Sequence, residues 1–268
     1  MHRWTWITLV ALAACGGGDP DARVVGTMFT NTCDWGGNSW LGIERVRVEL
    51  EYSPGVLTDR ALPASVQNCS LDTPLFLDES KIEGGLDLPG LTGDPRWAAG
   101  PEDGTLSKTR EGLYASDIAP TTGSCQKLED IGGTGVTVTE AGDFDGVTTP
   151  APGTAGLILI NDELETGYTG RVARDVSMDL SWSAEGWEQS FVQIRQVGSG
   201  VVRQSLTCTT TGMESFKLDP SVWDQLDDLG STQVEVFVGF QNIEDQTVNG
   251  EPVESITRMV HALRAADE

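Results

Sequence analysis

The sequence contains few histidines and lysines, and it has no long hydrophobic run after its first residues. Of 268 residues, two are His and 17 are Lys or Arg, against 41 Asp or Glu, which gives a formal net charge of -24. The lysines Lys81, Lys108, Lys127 and Lys217 are scattered, and no basic cluster occurs. Because binding to a phosphate backbone needs clustered cations, this composition excludes nucleic acid as an expected partner.

Histidine is too scarce for most enzymatic metal sites. His2 lies in a predicted signal segment, which would leave His261 as the single histidine of the mature chain. Zinc and non-haem iron sites that use several imidazoles are therefore excluded. A Ser-His-Asp triad is not indicated, because the sequence has no Gly-x-Ser-x-Gly elbow, and a Gly-Lys-Ser/Thr phosphate loop is also missing. No cofactor is expected.

The N-terminus has the layout of a secretory signal, with Arg3 followed by the apolar stretch 4–14. That stretch is too short to cross a hydrocarbon core of about 30 Å. Its end, Leu12-Ala13-Ala14-Cys15, resembles the lipobox of bacterial lipoproteins, in which the Cys is lipidated and becomes the first mature residue. We therefore predict a signal peptide over residues 1–14 and lipidation at Cys15, where several acyl chains would anchor the protein.

The lipobox resemblance also implies a location. Gly16 follows Cys15, where an Asp would mark retention in the inner membrane, so the resemblance implies lipid anchoring in the outer membrane, facing the periplasm or the cell surface. The Gly-rich, acidic residues after Cys15 predict a flexible tether over residues 15–23. The expected partners are the membrane, through the lipid, and a cell-envelope protein or glycan.

The remaining cysteines, Cys33, Cys69, Cys125 and Cys208, are even in number. An exported protein enters an oxidising space, where four cysteines most simply form two disulfides. Three connectivities are open. Proximity along the chain favours Cys33–Cys69 together with Cys125–Cys208.

Alternation of apolar and polar residues dominates the body of the sequence. It is clearest over 45–52, 176–183 and 234–240, where apolar residues occupy every second position. Weaker patterns of the same kind occur over 24–31, 134–140, 156–161, 190–197, 201–209, 214–218 and 255–262. With Gly- and Pro-rich turns between them, these segments predict an all-β fold of antiparallel β-sandwich domains.

One short helix is predicted near 220–229. Asp219 can cap it, Pro220 suits its first position, and Gly230 can close it. The alternative is a loop without regular structure. Trp182, at the end of a strand, and Trp223, on this helix, are expected in the core.

The segment 71–121 shows no sustained alternation and is rich in Gly, Pro and Asp, which predicts long loops with one ordered patch at 113–118. The Thr-Thr-Pro-Ala-Pro stretch 148–152 is typical of a stiff connector. A domain boundary could lie there or near 169–174.

We place the domain boundary at residue 170. This choice gives an N-terminal β domain with long loops over 24–170 and an immunoglobulin-like β-sandwich over 171–268. The C-terminal part contains, in order, a strand ending in Trp182, a strand with Val192 and Ile194, Cys208 with Gly212, Phe216-Lys217-Leu218, the short helix and a valine-rich strand. This order resembles the terminal β-domain of uncharacterised acidic surface lipoproteins of Gram-negative bacteria, which implies a fold but no activity.

Two tryptophans make one candidate binding site. Trp35 and Trp40 bracket Gly-Gly-Asn-Ser, so two rings and the Asn38 amide occur just after Cys33. Aromatic rings beside polar amides suit sugars or a protein partner. The alternative is that both rings cover the end of a sandwich.

A second candidate site is metal-binding. Asp143 and Asp145 lie in an Asp-Phe-Asp-Gly turn, and carboxylates on such loops can bind Ca²⁺ weakly in extracytoplasmic modules. The full Asp-x-Asp-x-Asp-Gly pattern is absent. The alternative is an ordinary acidic turn.

Together these features predict a lipid-anchored cell-envelope lipoprotein with a binding or structural role and no catalytic activity. One alternative is a carbohydrate- or peptidoglycan-binding module that uses Trp35 and Trp40. A second is a carboxylate-dependent hydrolase, because 41 acids include many pairs whose spacing neither supports nor excludes such a mechanism.

Overall fold

The computed structural model of the protein describes the body of the chain in several stretches. These are residues 20–55, 57, 62–63, 69–71, 85–119, 125–127, 133, 135–161, 163–164, 177–199, 201–229 and 233–263. The signal segment, Cys15 and the tether as far as residue 19 lie outside the described residues, so the lipid anchor stays a prediction. Pro20 and Asp21 precede a strand that begins at Ala22, inside the range assigned to the tether.

The described residues are mostly β-strand, with one short helix, which confirms the all-β prediction. Each of the ten predicted strand segments contains residues of an observed strand. The strands are β1 Ala22–Trp35, β2 Asn38–Tyr52, β3 Cys69–Leu71, β4 Arg96–Ala99, β5 Glu102–Thr105, β6 Ser107–Arg110, β7 Leu113–Ile118, β8 Gln126–Lys127, β9 Thr137–Thr139, β10 Thr154–Ala155, β11 Leu159–Ile160, β12 Glu163–Leu164, β13 Met178–Ser181, β14 Ala184–Glu185, β15 Gln189–Gly198, β16 Val201–Thr209, β17 Ser215–Leu218, β18 Gln233–Val248 and β19 Glu251–Leu263.

One large sheet forms the centre of the fold. Its order is β3-β16-β15-β18-β19-β1-β2-β7-β6, and β8 pairs with β2. Strands β1 and β19 run parallel, with Val24 beside Ser255, while the neighbouring pairs are antiparallel. A parallel pair needs a long connection, and here nearly the whole chain supplies it. The large sheet is therefore mixed.

Two hydrophobic cores pack against one face of this sheet. The C-terminal core lies between the large sheet and a four-stranded sheet, β12-β11-β13-β17, and it includes Leu180, Phe216 and Leu263. The N-terminal core lies between the large sheet and a three-stranded sheet, β5-β4-β9, and it includes Trp97 and Val253. Because Val253 and Leu263 are an even number of residues apart on β19, both cores contact the same face. Each core is therefore enclosed by two packed sheets, which form a β-sandwich, as predicted.

The large sheet takes strands from both sides of residue 170. Strands β1, β2 and β7 precede that position, and β15, β16, β18 and β19 follow it. Leu41 belongs to the C-terminal core and Val253 to the N-terminal core. The boundary itself falls outside the described residues and stays a prediction, while the strands on either side of it pair in one sheet.

The other face of the large sheet carries buried polar groups. Arg258 is 1% exposed, and its Nε and Nη2 donate to Oε1 of Gln241 at 3.0 and 2.9 Å. Arg23 lies 3.5 Å from Glu51 and forms a second ion pair with Glu254. A buried charge is costly unless it is paired or hydrogen-bonded, and here ion pairs of Arg23 and amide hydrogen bonds of Arg258 offset that cost on the second face.

The loop-rich segment before residue 121 is more ordered than expected. The predicted patch at 113–118 is confirmed as β7, but β4, β5 and β6 also lie in this segment. These three strands have four residues each, too few to show a sustained alternation in the sequence.

The predicted helix is confirmed at its start but not at its end. α1 spans Pro220–Trp223, and Asp219 Oδ1 accepts a hydrogen bond from the Ser221 N–H at 2.9 Å. The acidic Asp224 follows at the C-terminal end, where negative charge opposes the helix dipole, and the prediction of a helix to residue 229 is wrong. Trp182 and Trp223 are buried, as expected. Among the described residues no helix is long and apolar enough to cross a membrane.

The four cysteines form two disulfides, as predicted, but the favoured connectivity is wrong. The bonds are Cys33–Cys125, with Cα atoms 5.8 Å apart, and Cys69–Cys208, with Cα atoms 4.0 Å apart. Cys69 lies directly opposite Cys208 in the β3–β16 pairing. Strand pairing in the large sheet joins distant parts of the chain, so proximity in sequence was a poor guide to proximity in space.

Candidate functional site

A β-hairpin brings the predicted aromatic residues together. Strands β1 and β2 are joined by residues 36–37, two glycines with φ of 61° and 83°, and positive φ at both positions is the requirement of a tight two-residue hairpin turn. Trp35 lies opposite Asn38, and Cys33 lies opposite Trp40. Because side chains alternate along a strand, all four share one face of the hairpin.

The two tryptophans have different environments. Trp35 is 81% exposed at the tip of the hairpin, so it does not cover the end of a sandwich. Trp40 is half-buried, and its Nε1–H donates a hydrogen bond to the carbonyl oxygen of Cys125 at 3.2 Å. The structure therefore holds one ring in place and leaves the other in solvent.

The Cys33–Cys125 disulfide positions β8 beside this hairpin. Cys125 has a φ of 73°, and β8 pairs with β2 so that Lys127 lies opposite Gly42. A Cβ at Gly42 would lie 2.4 Å from Cys33 Sγ and 2.6 Å from Cys125 Cα, so only glycine permits this approach. The result is that Lys127 Nζ lies over the Trp40 ring, 5.8 Å from its centroid.

A mostly apolar cavity of about 550 Å³ lies at the base of the hairpin. This volume is in the range of small-molecule binding sites. Its described lining residues are Thr30, Ser39, Trp40, Leu41, Ile43, Lys127, Gly133, Pro152, Gly153, Thr154, Ala155, Gly156, Leu157 and Met259. Leu41 and Met259 come from the C-terminal core and Ile43 from the N-terminal core, so the cavity lies where the two cores meet.

The cavity extends to the edge of β2. Leu41 and Ile43 lie on the core-facing side of this strand, whereas Trp40 lies on its other side, and all three line the cavity. Strand β7 pairs with β2 only from Val46 onward. A ligand in the cavity would therefore contact apolar side chains on the inside and reach Trp40 at the edge.

The predicted connector 148–152 forms the approach to one wall of the cavity. Side chains of the large sheet hold its backbone: Gln246 donates to the Thr148 carbonyl at 2.9 Å, and Asn242 donates to the Ala151 carbonyl at 2.8 Å. Residues 152–157, which follow directly, line the cavity. The Pro-rich stretch is therefore fixed to the sheet and positions a wall of the site.

His261 lies beside Thr30 in the large sheet and is buried. It is 1% exposed on β19, and its Nδ1 is 3.2 Å from Oγ1 of Thr30. Thr30 lines the cavity, so His261 supports a lining residue.

The two aspartates of the predicted calcium site lie elsewhere, around a 3₁₀ turn at Gly142–Phe144. Both Asp143 and Asp145 are exposed, and Asp145 Oδ1 accepts a hydrogen bond from the Glu140 N–H at 2.6 Å. Within the described stretches no group of three His, Cys, Asp or Glu side chains is arranged to hold a metal ion. Calcium binding at these aspartates stays a prediction.

Several residues of the site were not predicted from the sequence. Lys127, Met259 and residues 152–157 come from segments far from Trp40 along the chain, and no pattern in the sequence marked them as parts of a binding site. One signal was available, because two glycines between alternating segments indicate a tight hairpin. No protein-family model matches this chain, and no curated protein matches it, so the interpretation of the site depends on its geometry.

Proposed function

We propose that the protein is a lipid-anchored cell-envelope protein with a binding role and no catalytic activity, and that its ligand is a saccharide. The observation that carries this proposal is the cavity of about 550 Å³ beside Trp40, with Trp35 exposed on the same face of the hairpin.

A saccharide suits the chemistry of this site. A sugar ring has an apolar C–H face, which packs on an aromatic ring, and hydroxyls, which bond to polar groups at its rim. Trp40 and the apolar lining supply the first kind of contact, and Ser39 and Thr154 supply hydroxyls. Trp35 and Trp40 are diagonal neighbours across the hairpin, about 7 Å apart in such a pair, so Trp35 can contact the next unit of an oligosaccharide.

The position of the site on the body agrees with a ligand in the envelope. The body follows the tether at Ala22, and Trp35 is the last residue of the same strand, 14 residues long. At a rise of 3.3 Å per residue, the hairpin tip lies roughly 43 Å along the strand from the tether. A protein anchored through Cys15 would present this site away from its own lipid.

The hydrolase alternative has no observation in its favour. The described lining of the cavity contains no Asp or Glu, whereas a carboxylate-dependent mechanism needs a pair of them at the reacting bond.

Mass spectrometry of the mature protein tests the anchor. We expect an N-terminus at Cys15 that carries lipid on its sulfur and its amine. A mature protein that begins at another residue would refute the anchored part of the proposal.

A glycan array tests the binding part. We expect Trp40→Ala to weaken binding about tenfold or more and Trp35→Ala to weaken binding of longer glycans only. Leu86→Ala is the control, because the Leu86 side chain is also apolar and is 54% exposed. It lies at the far end of β2, where the Leu86 backbone N–H donates to the Tyr52 carbonyl at 3.2 Å. If no glycan binds in a way that depends on Trp40, the saccharide proposal is wrong.

A further inference from the structure

We infer that the saccharide bound at this site carries an acyl group, and that the hydrocarbon part of this group enters the inner part of the cavity. The inference rests on the proposed function and deepens it by naming the class of saccharide. Its basis is the arrangement of polar and apolar residues from the mouth of the cavity to its floor.

The lining changes from polar to apolar with depth. At the mouth, Thr154 is exposed and Ser39 is half-buried. Ser39, Leu41 and Ile43 lie on the same side of β2, because side chains alternate along a strand, and the last two are buried. Met259, from β19, is also buried and lines the cavity. Leu41, Ile43 and Met259 therefore form an apolar floor beneath a mouth that carries hydroxyls.

A saccharide of hydroxylated rings alone matches only the mouth of such a cavity. A hydroxyl moved from water to the floor loses its hydrogen bonds to water, and the three apolar side chains there offer none in return. The Thr30 hydroxyl, which belongs to the same lining, already donates to the Val260 carbonyl at 3.3 Å. The hydrocarbon part of an acyl group has no such bonds to lose, and its burial is favourable.

The position of Trp40 allows both parts of an acylated saccharide to bind at once. Trp40 lies between Ser39 and Leu41 on β2 and points to the opposite side of the strand, and the cavity includes both sides at the strand edge. A sugar ring packed on the indole can therefore direct one substituent toward Leu41. Its remaining hydroxyls stay at the mouth, near Ser39 and Thr154.

The wall opposite the floor is fixed by hydrogen bonds, so the cavity is preformed. The Trp187 Nε1–H donates to the Thr154 carbonyl at 3.0 Å, and the Gly156 N–H donates to the Ser183 carbonyl at 2.7 Å. The next residue, Leu157, is half-buried, packs against the C-terminal core and lines the cavity. Because this wall needs little ordering when a ligand binds, burial of the acyl group contributes more fully to affinity.

The test is a series of trisaccharides with one backbone and different substituents. Titration calorimetry of the mature protein would compare cellotriose with the trisaccharides that carry N-acetyl, N-propionyl or N-butyryl groups in place of the C2 hydroxyls. All four are uncharged, so the acidity of the protein affects them equally. We expect the N-acetyl form to bind at least tenfold more tightly than cellotriose. Each further methylene that is buried should increase the affinity about fourfold until the cavity is full.

Substitutions of Leu157 test where the acyl group lies. Leu157→Asn keeps the size of the side chain but makes it polar, so it should remove the preference for acylated trisaccharides and leave cellotriose binding unchanged. Leu157→Ala enlarges the cavity and should favour the N-butyryl over the N-acetyl form more strongly than the wild type does. Leu91→Asn, at a half-buried leucine beside the N-terminal core, is the matched control and should change nothing. Thermal melting of each variant confirms that it is folded.

The outcomes separate this inference from the proposed function. If the four trisaccharides bind equally, and Trp40→Ala weakens all of them, the inference is wrong and the saccharide site stands. An equal loss of preference in Leu157→Asn and Leu91→Asn would also overturn the inference. If no trisaccharide binds in a way that depends on Trp40, both fail. A parallel titration with cellotriose acetylated on its hydroxyls identifies the source of the acyl group: Leu157-dependent binding of either the amide or the ester supports the inference.

Discussion

The two larger hydrophobic cores, which share one face of the large sheet, differ in the sequence of the layer that covers it. The C-terminal core uses the long strands β15, β16, β18 and β19, and its aromatic contacts include Trp182 against Phe240, with ring centroids 6.2 Å apart. The N-terminal core packs the large sheet against strands of three or four residues, and several of its members, such as Leu88 and Phe144, lie outside strands. The N-terminal core takes its alternating residues, such as Val46 and Val48, from the large sheet alone, so a core can be fully buried when only one of its two layers has a periodic sequence.

A polar seam separates the two cores on the shared face of the large sheet. Between Val253 and Met259 on β19, the residues on that face are Ser255 and Thr257. The hydroxyl of Thr257 is 2.6 Å from that of Thr149, and it also bonds to the Pro150 carbonyl. The connector 148–152 thus lies between the cores and provides hydrogen-bond partners for the hydroxyl of Thr257. One continuous sheet therefore carries both sandwiches, and hydrogen bonds join them at the boundary.

The largest predicted effect comes from removing the central ring of either core. Trp223→Ala in the C-terminal core and Trp97→Ala in the N-terminal core, both 1% exposed, should each lower the free energy of unfolding by about 3–5 kcal/mol. Because the cores share one sheet, both variants should shift the same single transition in calorimetry.

The exposed Trp35 supplies the control for these substitutions. Trp35→Ala should change the free energy of unfolding by no more than about 0.5 kcal/mol. Two separate transitions, each sensitive to one of the core variants, would show instead that the cores unfold independently, as a domain boundary near residue 170 would imply.

The two disulfides are expected to stabilise the fold by different amounts. Replacing both cysteines of either pair by Ser should lower the free energy of unfolding by about 2–5 kcal/mol, because each bond closes a long loop. The bonded cysteines are 92 residues apart for Cys33–Cys125 and 139 for Cys69–Cys208. We expect the larger loss for Cys69–Cys208, because Cys208 is fully buried in the C-terminal core and a serine hydroxyl there lacks water.

Denaturant titration measures both losses, and non-reducing peptide mapping tests the pairs themselves. A peptide that joins Cys33 to Cys69 would contradict the connectivity. The Cys33→Ser/Cys125→Ser variant should also bind glycans more weakly, because the positions of Lys127 and Trp40 depend on Cys125. The Cys69→Ser/Cys208→Ser variant should bind them as the wild type does.

A single substitution, of the Thr257 hydroxyl by a methyl group, tests how much the polar seam between the cores contributes to stability. Thr257→Val keeps the shape of the side chain but removes the bonds to Thr149 and Pro150, and we expect a loss of about 1–3 kcal/mol in denaturant titration. Thr247→Val, at an exposed position of the neighbouring β18, is the matched control and should be close to neutral. Equal effects for the two variants would mean that the seam contributes no stability.

The smallest effect is expected at high pH, at the rim of the N-terminal core. Burial, and then the nearby carboxylates Glu251, Asp21 and Asp143, raise the pKa of Tyr52 above its usual value of 10.0. A raised pKa means that the fold favours the neutral phenol, so this stabilisation is complete below the pKa of the unfolded chain and is lost as pH rises through the folded pKa.

The Tyr52→Phe variant should therefore lose less stability than the wild type between about pH 10 and pH 12, while the two run parallel below pH 9. Melting temperatures across this range, with absorbance titration of the tyrosines, measure the difference. Identical alkaline slopes would refute the assignment to Tyr52, whose ring centroid lies 5.2 Å from that of Phe144.

The sequence was most informative where strands are long. The alternation at 234–240 predicted the part of β18 that enters the C-terminal core, and the Asp219-Pro220 pair predicted the start of α1. It was least informative for β4, β5 and β6, which have four residues each, because a short strand shows too few alternations to differ from a loop. The predicted length of the helix was also wrong. Leu226 is buried although it lies beyond the end of α1, so an apolar residue at this spacing did not indicate that the helix continues.

The candidate site was predictable only in part. Trp35, Asn38 and Trp40 were found because they are close in sequence, and the hairpin keeps them on one face. The opposite wall of the cavity, with Met259 and residues 152–157, belongs to segments more than 100 residues away, and no local pattern marks their proximity. The position of Lys127 beside Trp40 likewise depends on a disulfide that the chain order did not indicate.

Alternation along the chain and amino-acid composition were sufficient for the all-β class, the acidic character and the presence of two disulfides. Other features were settled by the folded chain alone: the parallel pairing of β1 with β19, the choice of cysteine partners, and the cavity between the cores. The physical reason is that backbone geometry sets the period of a strand, whereas the neighbour of a strand depends on which distant segments bury their faces together.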